Sequence, residues 1–288
     1  MVREDGYTIG KIISSAFALN RAEPLSPTAH WNYLTTLMIC LVITPAMMFY
    51  PQFFAWAGVD FTLVDLDLGL RLVGLVVMQI TLMGFTLSRH NHEYVAMGTM
   101  IHRPVELAVL TVIFCMGEIH WQFFVFMVLG VPVPAGVCFW LWKKETQVTG
   151  AREYWQQLAN PGKDRSLLGR WIEKLGWIVL GLGVAVLVHP GWFLEALDIS
   201  QALLVTGYIR VAGWAWMIVG WCYFMNARHE NSFFFDLVLV QNALGIGTAL
   251  VLWSFSWFPL PLLVFIVLKN VLITLSCVVA ANIQSSKT

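Results

Sequence analysis

Residues 68–90 read LGLRLVGLVVMQITLMGFTLSRH, and residues 207–229 read GYIRVAGWAWMIVGWCYFMNARH. At a constant offset of 139 in residue number they match at Arg71 and Arg210, Gly74 and Gly213, Met78 and Met217, Phe85 and Phe224, Arg89 and Arg228, and His90 and His229. Matches of Val or Leu carry little weight in apolar sequence. Matches of Arg, and of an Arg-His pair, carry a great deal. The same offset pairs Pro51 with Pro190, Phe54 with Phe193, Phe126 with Phe265, Leu129 with Leu268, and Cys138 with Cys277. Self-similarity at one fixed spacing is the mark of an internal duplication.

Both quoted stretches are continuous apolar runs of bilayer length, about 20 residues. Eight such runs are predicted, at 33–50, 68–88, 105–120, 122–142, 171–189, 206–226, 234–254 and 260–282. They are continuous rather than alternating, which excludes a transmembrane β-barrel. Glu118-Ile119-His120-Trp121 joins the third and fourth in a tight hairpin, and Pro132 and Pro134 interrupt the fourth. The chain is 58% hydrophobic and 12% charged. Soluble domains run nearer 45–50% apolar and about 25% charged. The expected fold class is therefore all-α, a polytopic membrane protein of eight transmembrane helices arranged as two parallel four-helix repeats. Four spans is an even number, so both units point the same way, related by an axis along the membrane normal.

The predicted organisation is a cytoplasmic N-terminal segment (1–32), repeat one (33–145), a cytoplasmic loop (146–170), repeat two (171–283) and a cytoplasmic tail (284–288). Within the first segment, Ile9, Ile12, Ile13, Ala16 and Phe17 fall at helical spacing. They predict a helix that lies on the inner leaflet or packs on the bundle. Loop charge sets the orientation. With the N-terminus inside, the inner segments collect Arg3, Lys11, Arg21, Arg89, Arg103, Lys143, Lys144, Arg152, Lys163, Arg165, Arg170, Lys174, Arg228 and Lys287. The opposite loops carry Asp60, Asp65, Asp67, Glu195 and Asp198, and no basic residue. Both termini are thus expected in the cytoplasm of a bacterial inner membrane, with no cleavable signal.

Three groups of polar residues invite a function. Arg71 and Arg210 near the outer ends of spans two and six, and Arg89 and Arg228 at the inner ends, suit headgroup and aspartate anchoring. His90, His92, His102 and His229 gather near the inner face in sequence, and imidazole beside Glu93 or Glu230 is a ligand set for iron, copper or zinc. The alternative is a structural cluster beside basic anchors. Lys269 falls in mid-span, where a charge costs about 2.5–3.5 kcal/mol and seeks an interior partner. Gln79, Gln241, Asn242 and Asn270 are the neutral partners expected for it. No acid is expected at that depth, because Glu106 and Asp236 read as lying near the inner face and Glu118 near the outer one. Gly245 and Gly247, and Gly213 to Gly220, read as packing positions.

Phosphate-binding loops, dinucleotide fingerprints, H-E-x-x-H, nucleophile elbows and zinc-type Cys/His spacing do not occur. No cofactor is assigned. The balanced charge, 17 basic and 17 acidic residues, offers nothing to nucleic acid. The leading expectation is a non-catalytic integral subunit, or assembly and scaffold component, of a larger membrane complex, binding lipid or a hydrophobic cofactor through aromatic-rich spans. The partners expected are membrane lipid and other membrane subunits. Two further readings stand beside it: a small-molecule or ion transporter with a site near Lys269, and a metal-dependent membrane enzyme using the histidine cluster.

Overall fold

A computed structural model describes residues 8–19, 23–57, 66–91, 94–130, 132–148, 152–153, 156, 166–228 and 232–285, with backbone alone at 94–101, 129, 132 and 232. These residues are helical throughout, with no strand among them. In chain order they form α1 (Ile9–Ala16), α2 (Pro27–Met38), a π turn (Ile39–Ile43), α3 (Thr44–Phe49), a 3-10 segment (Pro51–Ala57), α4 (Leu66–Arg89), α5 (Tyr94–Cys115), α6 (Trp121–Gly130) and α7 (Pro132–Thr146). The second half forms α8 (Leu167–Val188), α9 (Pro190–Ala196), α10 (Leu203–Arg228), α11 (Ser232–Ser254) and α12 (Leu260–Ser285).

Seven stretches are long and apolar enough to cross a membrane, against the eight expected. They are Pro27–Phe49, Leu66–Arg89, Trp121–Thr146, Leu167–Val188, Leu203–Arg228, Phe233–Ser254 and Leu260–Gln284. The remaining stretch, expected at 105–120, is the apolar second half of α5. That helix already starts at Tyr94 and carries Arg103, Pro104 and Glu106 in its interior. His102, Arg103, Pro104 and Glu106 break its apolar sequence midway.

α4 and α10 form the centre, each with 72% of its most apolar window buried. They pack on each other and are flanked by the remaining helices. α2 and α3 pack on α4, as α8 packs on α10. α7 touches α2 and α5, as α12 touches α8 and α11. α5 crosses to α10, as α11 crosses to α4. The α8–α10 seam is the tightest, because Gly176, Gly183, Gly213 and Gly220 let the backbones meet. A Cβ on Gly183 would stand 2.6 Å from the Gly213 carbonyl oxygen.

Local geometry recurs between the halves. Ser26 caps α2 by accepting from Ala29 N (3.2 Å), and Ser166 caps α8 by accepting from Gly169 N (3.0 Å). One turn in, Thr28 N donates to Glu145 Oε1 (2.6 Å) and Leu168 N donates to Gln284 Oε1 (3.1 Å). α5 and α11 end in the same left-handed cap, with Gly117 at φ +74 and Ser256 at φ +60. In one, Glu118 N donates to Ile113 O (3.2 Å); in the other, Trp257 N donates to Leu252 O (2.9 Å).

α1 packs against α11, and its C-terminal carbonyls are held by the end of α4. Arg89 donates to Phe17 O (3.3 Å) and Ala18 O (3.0 Å), and the His90 ring nitrogen lies 3.0 Å from Ser15 O. Of the two readings of this segment, these contacts describe the packed helix.

Loop topology is open to direct measurement. Single cysteines placed at 10 and 160, in a background freed of the five native ones, are expected to react with impermeant maleimide only after the cytoplasmic side is opened. Labelling of position 160 from outside would overturn the arrangement.

Candidate functional site

The arginines near the N-terminal ends of α4 and α10 are built alike. Arg71 donates to the Met48 carbonyl, and Arg210 donates to the Leu187 carbonyl, so each satisfies the unpaired end of the preceding helix of its own half. Each then reaches into the other half. The Arg71 guanidinium lies 3.9 Å from the centre of the Trp257 ring, at the turn between α11 and α12. Arg210 Nε meets Glu118 Oε2 at 2.7 Å, at the turn between α5 and α6. Glu118 and Trp257 are themselves related by the offset of 139. One crossing is an ion pair and the other a cation–π contact, at the same place. Arg71 also meets Asp67 (3.4 Å), the aspartate reading that survives; its side chain is 3% exposed, and it does not reach toward headgroups. Asp60 and Asp65 lie outside the described residues.

Glu118 is buried beneath this contact, and Gly207 makes the room. A Cβ on Gly207 would stand 1.9 Å from the Glu118 carbonyl oxygen. Burial pushes the Glu118 carboxyl above the usual carboxylate range, and Arg210 pulls it back.

At the C-terminal end of α10, Arg228 pairs with Glu173 (3.2 Å) and covers the Phe224 ring at 4.0 Å. The His90 ring stacks on Phe233 at 3.6 Å, with 7° between the planes. His92 and His229 lie outside the described residues. His102 stands eight residues into α5, well away from the helix end that the sequence suggested. Among the described residues no group of three or more His, Cys, Asp or Glu side chains comes together to hold a metal.

The membrane-interior cluster divides in two. Asn270, Gln79, Gln241 and Asn242 are all buried, at 0%, 3%, 1% and 1% exposure. Gln79 Nε2 and Asn270 Nδ2 converge on Gly245, each within 3 Å of where its Cβ would stand (2.8 and 2.9 Å). Gly245 therefore makes room for two amides, a role beyond the helix packing expected of it. Tyr223 Oη donates to Gln241 Oε1 at 3.4 Å. Lys269 does not join this group. Its side chain is half-buried on the neighbouring face of α12, with Nζ 5.8 Å from the Trp216 ring centre. Trp216 is fixed edge-to-face between Phe193 (5.7 Å) and Phe265 (5.8 Å). Among the described residues Lys269 has no ion pair and no hydrogen bond.

The expected depth of Glu106 is corrected. It lies twelve residues after Tyr94, just as Gly245 lies twelve after Phe233, and it is 4% exposed. It is therefore an acid deep in α5, paired with Arg103 at 2.6 Å. The signal was present in the fixed offset: 139 residues carry Gln241, Asn242 and Gly245 onto His102, Arg103 and Glu106. Trp216, Tyr223 and Trp257 had no such signal, since each matches an unlike residue in the first half.

No protein-family model, curated protein or solved structure matches the chain.

The two arginine crossings should differ in strength. Glu118→Leu leaves a buried guanidinium unpaired and is expected to cost about 3–5 kcal/mol. Trp257→Leu removes a cation–π contact and is expected to cost about 1–2 kcal/mol. Thermal unfolding of the purified variants in mild detergent checks the order; a more damaging Trp257→Leu would refute it.

Proposed function

We propose that the chain is a non-catalytic integral membrane subunit that holds a partner within a larger membrane complex. Lys269 carries this reading. It lies nine residues after Leu260, roughly 14 Å along the helix. That is near the midplane of a hydrocarbon core of about 30 Å, where a lone ammonium costs about 2.5–3.5 kcal/mol. Beside it, Leu268, Leu272, Leu275 and Val279 form an exposed stripe on α12. A lipid phosphate stays at the surface, about 15 Å away. A carboxylate carried on a partner's transmembrane helix reaches this depth and neutralises the charge.

The subunit is proposed to have eight spans in two parallel four-helix repeats, with both termini in the cytoplasm of a bacterial inner membrane. Support for the repeat comes from the recurring caps, turns and arginine contacts, and from helix packing that is unchanged when the halves are exchanged. One irregularity also supports it. The offset from Thr28 to Leu168 is 140, whereas that from Met48 to Leu187 is 139. The first half thus holds one residue more between these points: 28 to 48 spans twenty steps and 168 to 187 spans nineteen, and the π turn Ile39–Ile43 lies there. A π turn is how a helix absorbs a single inserted residue. α5 supports the eighth span, because its 22 residues match Phe233–Ser254 end for end.

Lys269→Met keeps the length of the side chain and removes its charge. Purified from its native membrane in mild detergent, the unaltered protein is expected to run as an assembly larger than 32.5 kDa plus its detergent. The variant is expected to run as a folded monomer. Identical assemblies for both would contradict the proposal.

A further inference from the structure

We propose that the amides around Gly245 form a binding site for a small uncharged ligand bearing oxygen acceptors. The site is independent of the Lys269 partner reading. Gln241, Asn242 and Gly245 occupy one face of α11, being three and four residues apart. Gln79 of α4 and Asn270 of α12 reach that face from either side, at the point Gly245 leaves bare. Asn270 is fully buried, and neither its Nδ2 nor its Oδ1 has a hydrogen-bond partner. Turning the amide over exchanges the two atoms and relieves neither. Gln241 Nε2 and Asn242 Nδ2 are buried without partners as well. Asn242 approaches the Tyr223 hydroxyl without closing a hydrogen bond to it through Nδ2.

Each unmet group of this kind in a membrane interior costs several kcal/mol. Four of them on Gln241, Asn242 and Asn270 of one buried cluster require something to bond with. The chemistry of the lining defines it. No charged side chain belongs to the cluster, since the Lys269 ammonium is turned toward Trp216. An ion would be left uncompensated, so the ligand is neutral. Three amide nitrogens lack acceptors, against one carbonyl oxygen that lacks a donor, so the ligand offers mainly oxygen acceptors. Exposure of 3% or less on every member restricts it to a few heavy atoms. Water and a urea-sized carbonyl compound share this chemistry.

The corresponding place in the first half is filled from within. There Glu106 stands where the second half has Gly245, and Arg103 donates to it at 2.6 Å. The second half has a glycine in place of the carboxylate and an asparagine in place of the arginine, and the Gln79 and Asn270 amides come up against the glycine as neutral donors. On the Arg228 side the polar run continues through Tyr223 to Asn226, whose buried Oδ1 is also unmet. It supplies a hydrogen-bonding face between that end of the bundle and the site.

The test is an experimental structure in lipid nanodiscs, at a resolution that shows ordered water, collected with and without added urea. Discrete peaks bonded to Asn270 and Asn242, unchanged by urea, would support the site with water as its ligand. A planar density present only with urea would support it with a carbonyl solute. Direct amide-to-amide hydrogen bonds among Gln79, Gln241, Asn242 and Asn270, with nothing between them, would overturn it. Asn270→Leu should abolish the density and Lys269→Met should leave it. The two proposals therefore fail separately.

Discussion

A largely buried guanidinium near the N-terminal end of each central helix organises this molecule. An arginine inside a bundle must meet all its donors from the protein, because lipid supplies no acceptor. Arg71 and Arg210 each take two kinds of partner, first the open carbonyl end of the helix before them, then a group from the opposite half. The first contact fixes the corner between two helices of one unit. The second ties that corner to the other unit's α5–α6 or α11–α12 turn. The close α8–α10 seam and the burial of α4 and α10 follow from having both corners held. Glu118 in one crossing and Trp257 in the other satisfy the cation by different physics.

That difference is a pattern. At several corresponding positions the framework is the same while its filling has changed: Glu118 against Trp257, Glu106 against Gly245, Gly130 against Lys269. The first half keeps its interior charges in a local i, i+3 ion pair. The second half has lost that pair and gained a lysine and a set of amides, which leave donors open. On the proposed reading, any ligand or partner binding is therefore concentrated in the second half, while the first half contributes mainly the scaffold.

The helical class and the membrane-length runs were legible because lipid imposes a long apolar period. The depth of Glu106 was not legible. His102, Arg103, Pro104 and Glu106 interrupt the apolar sequence, so an apolar count starts at 105 although the helix starts at Tyr94. The separation of Lys269 from Asn270 was not legible either. Adjacent residues differ by about 100° around a helix, and only packing decides which one faces Gly245 and which one faces Trp216. The partners of the arginines were hidden because positions 118 and 257 share a place and not a chemistry. The buried role of Arg71 went unseen for the same reason: its depth and the Met48 carbonyl are properties of the folded corner.

The central claim is that two copies of one four-helix unit stand side by side, in the same orientation across a membrane. An experimental structure in a bilayer tests it through one operation, superposing residues 44–146 on 183–285. The account predicts that all helices align in chain order. The rotation axis should run along the membrane normal and pass between α4 and α10, with α5 crossing the bilayer as α11 does. An axis lying in the membrane plane, or α5 resting on the surface beside seven crossing helices, would contradict it.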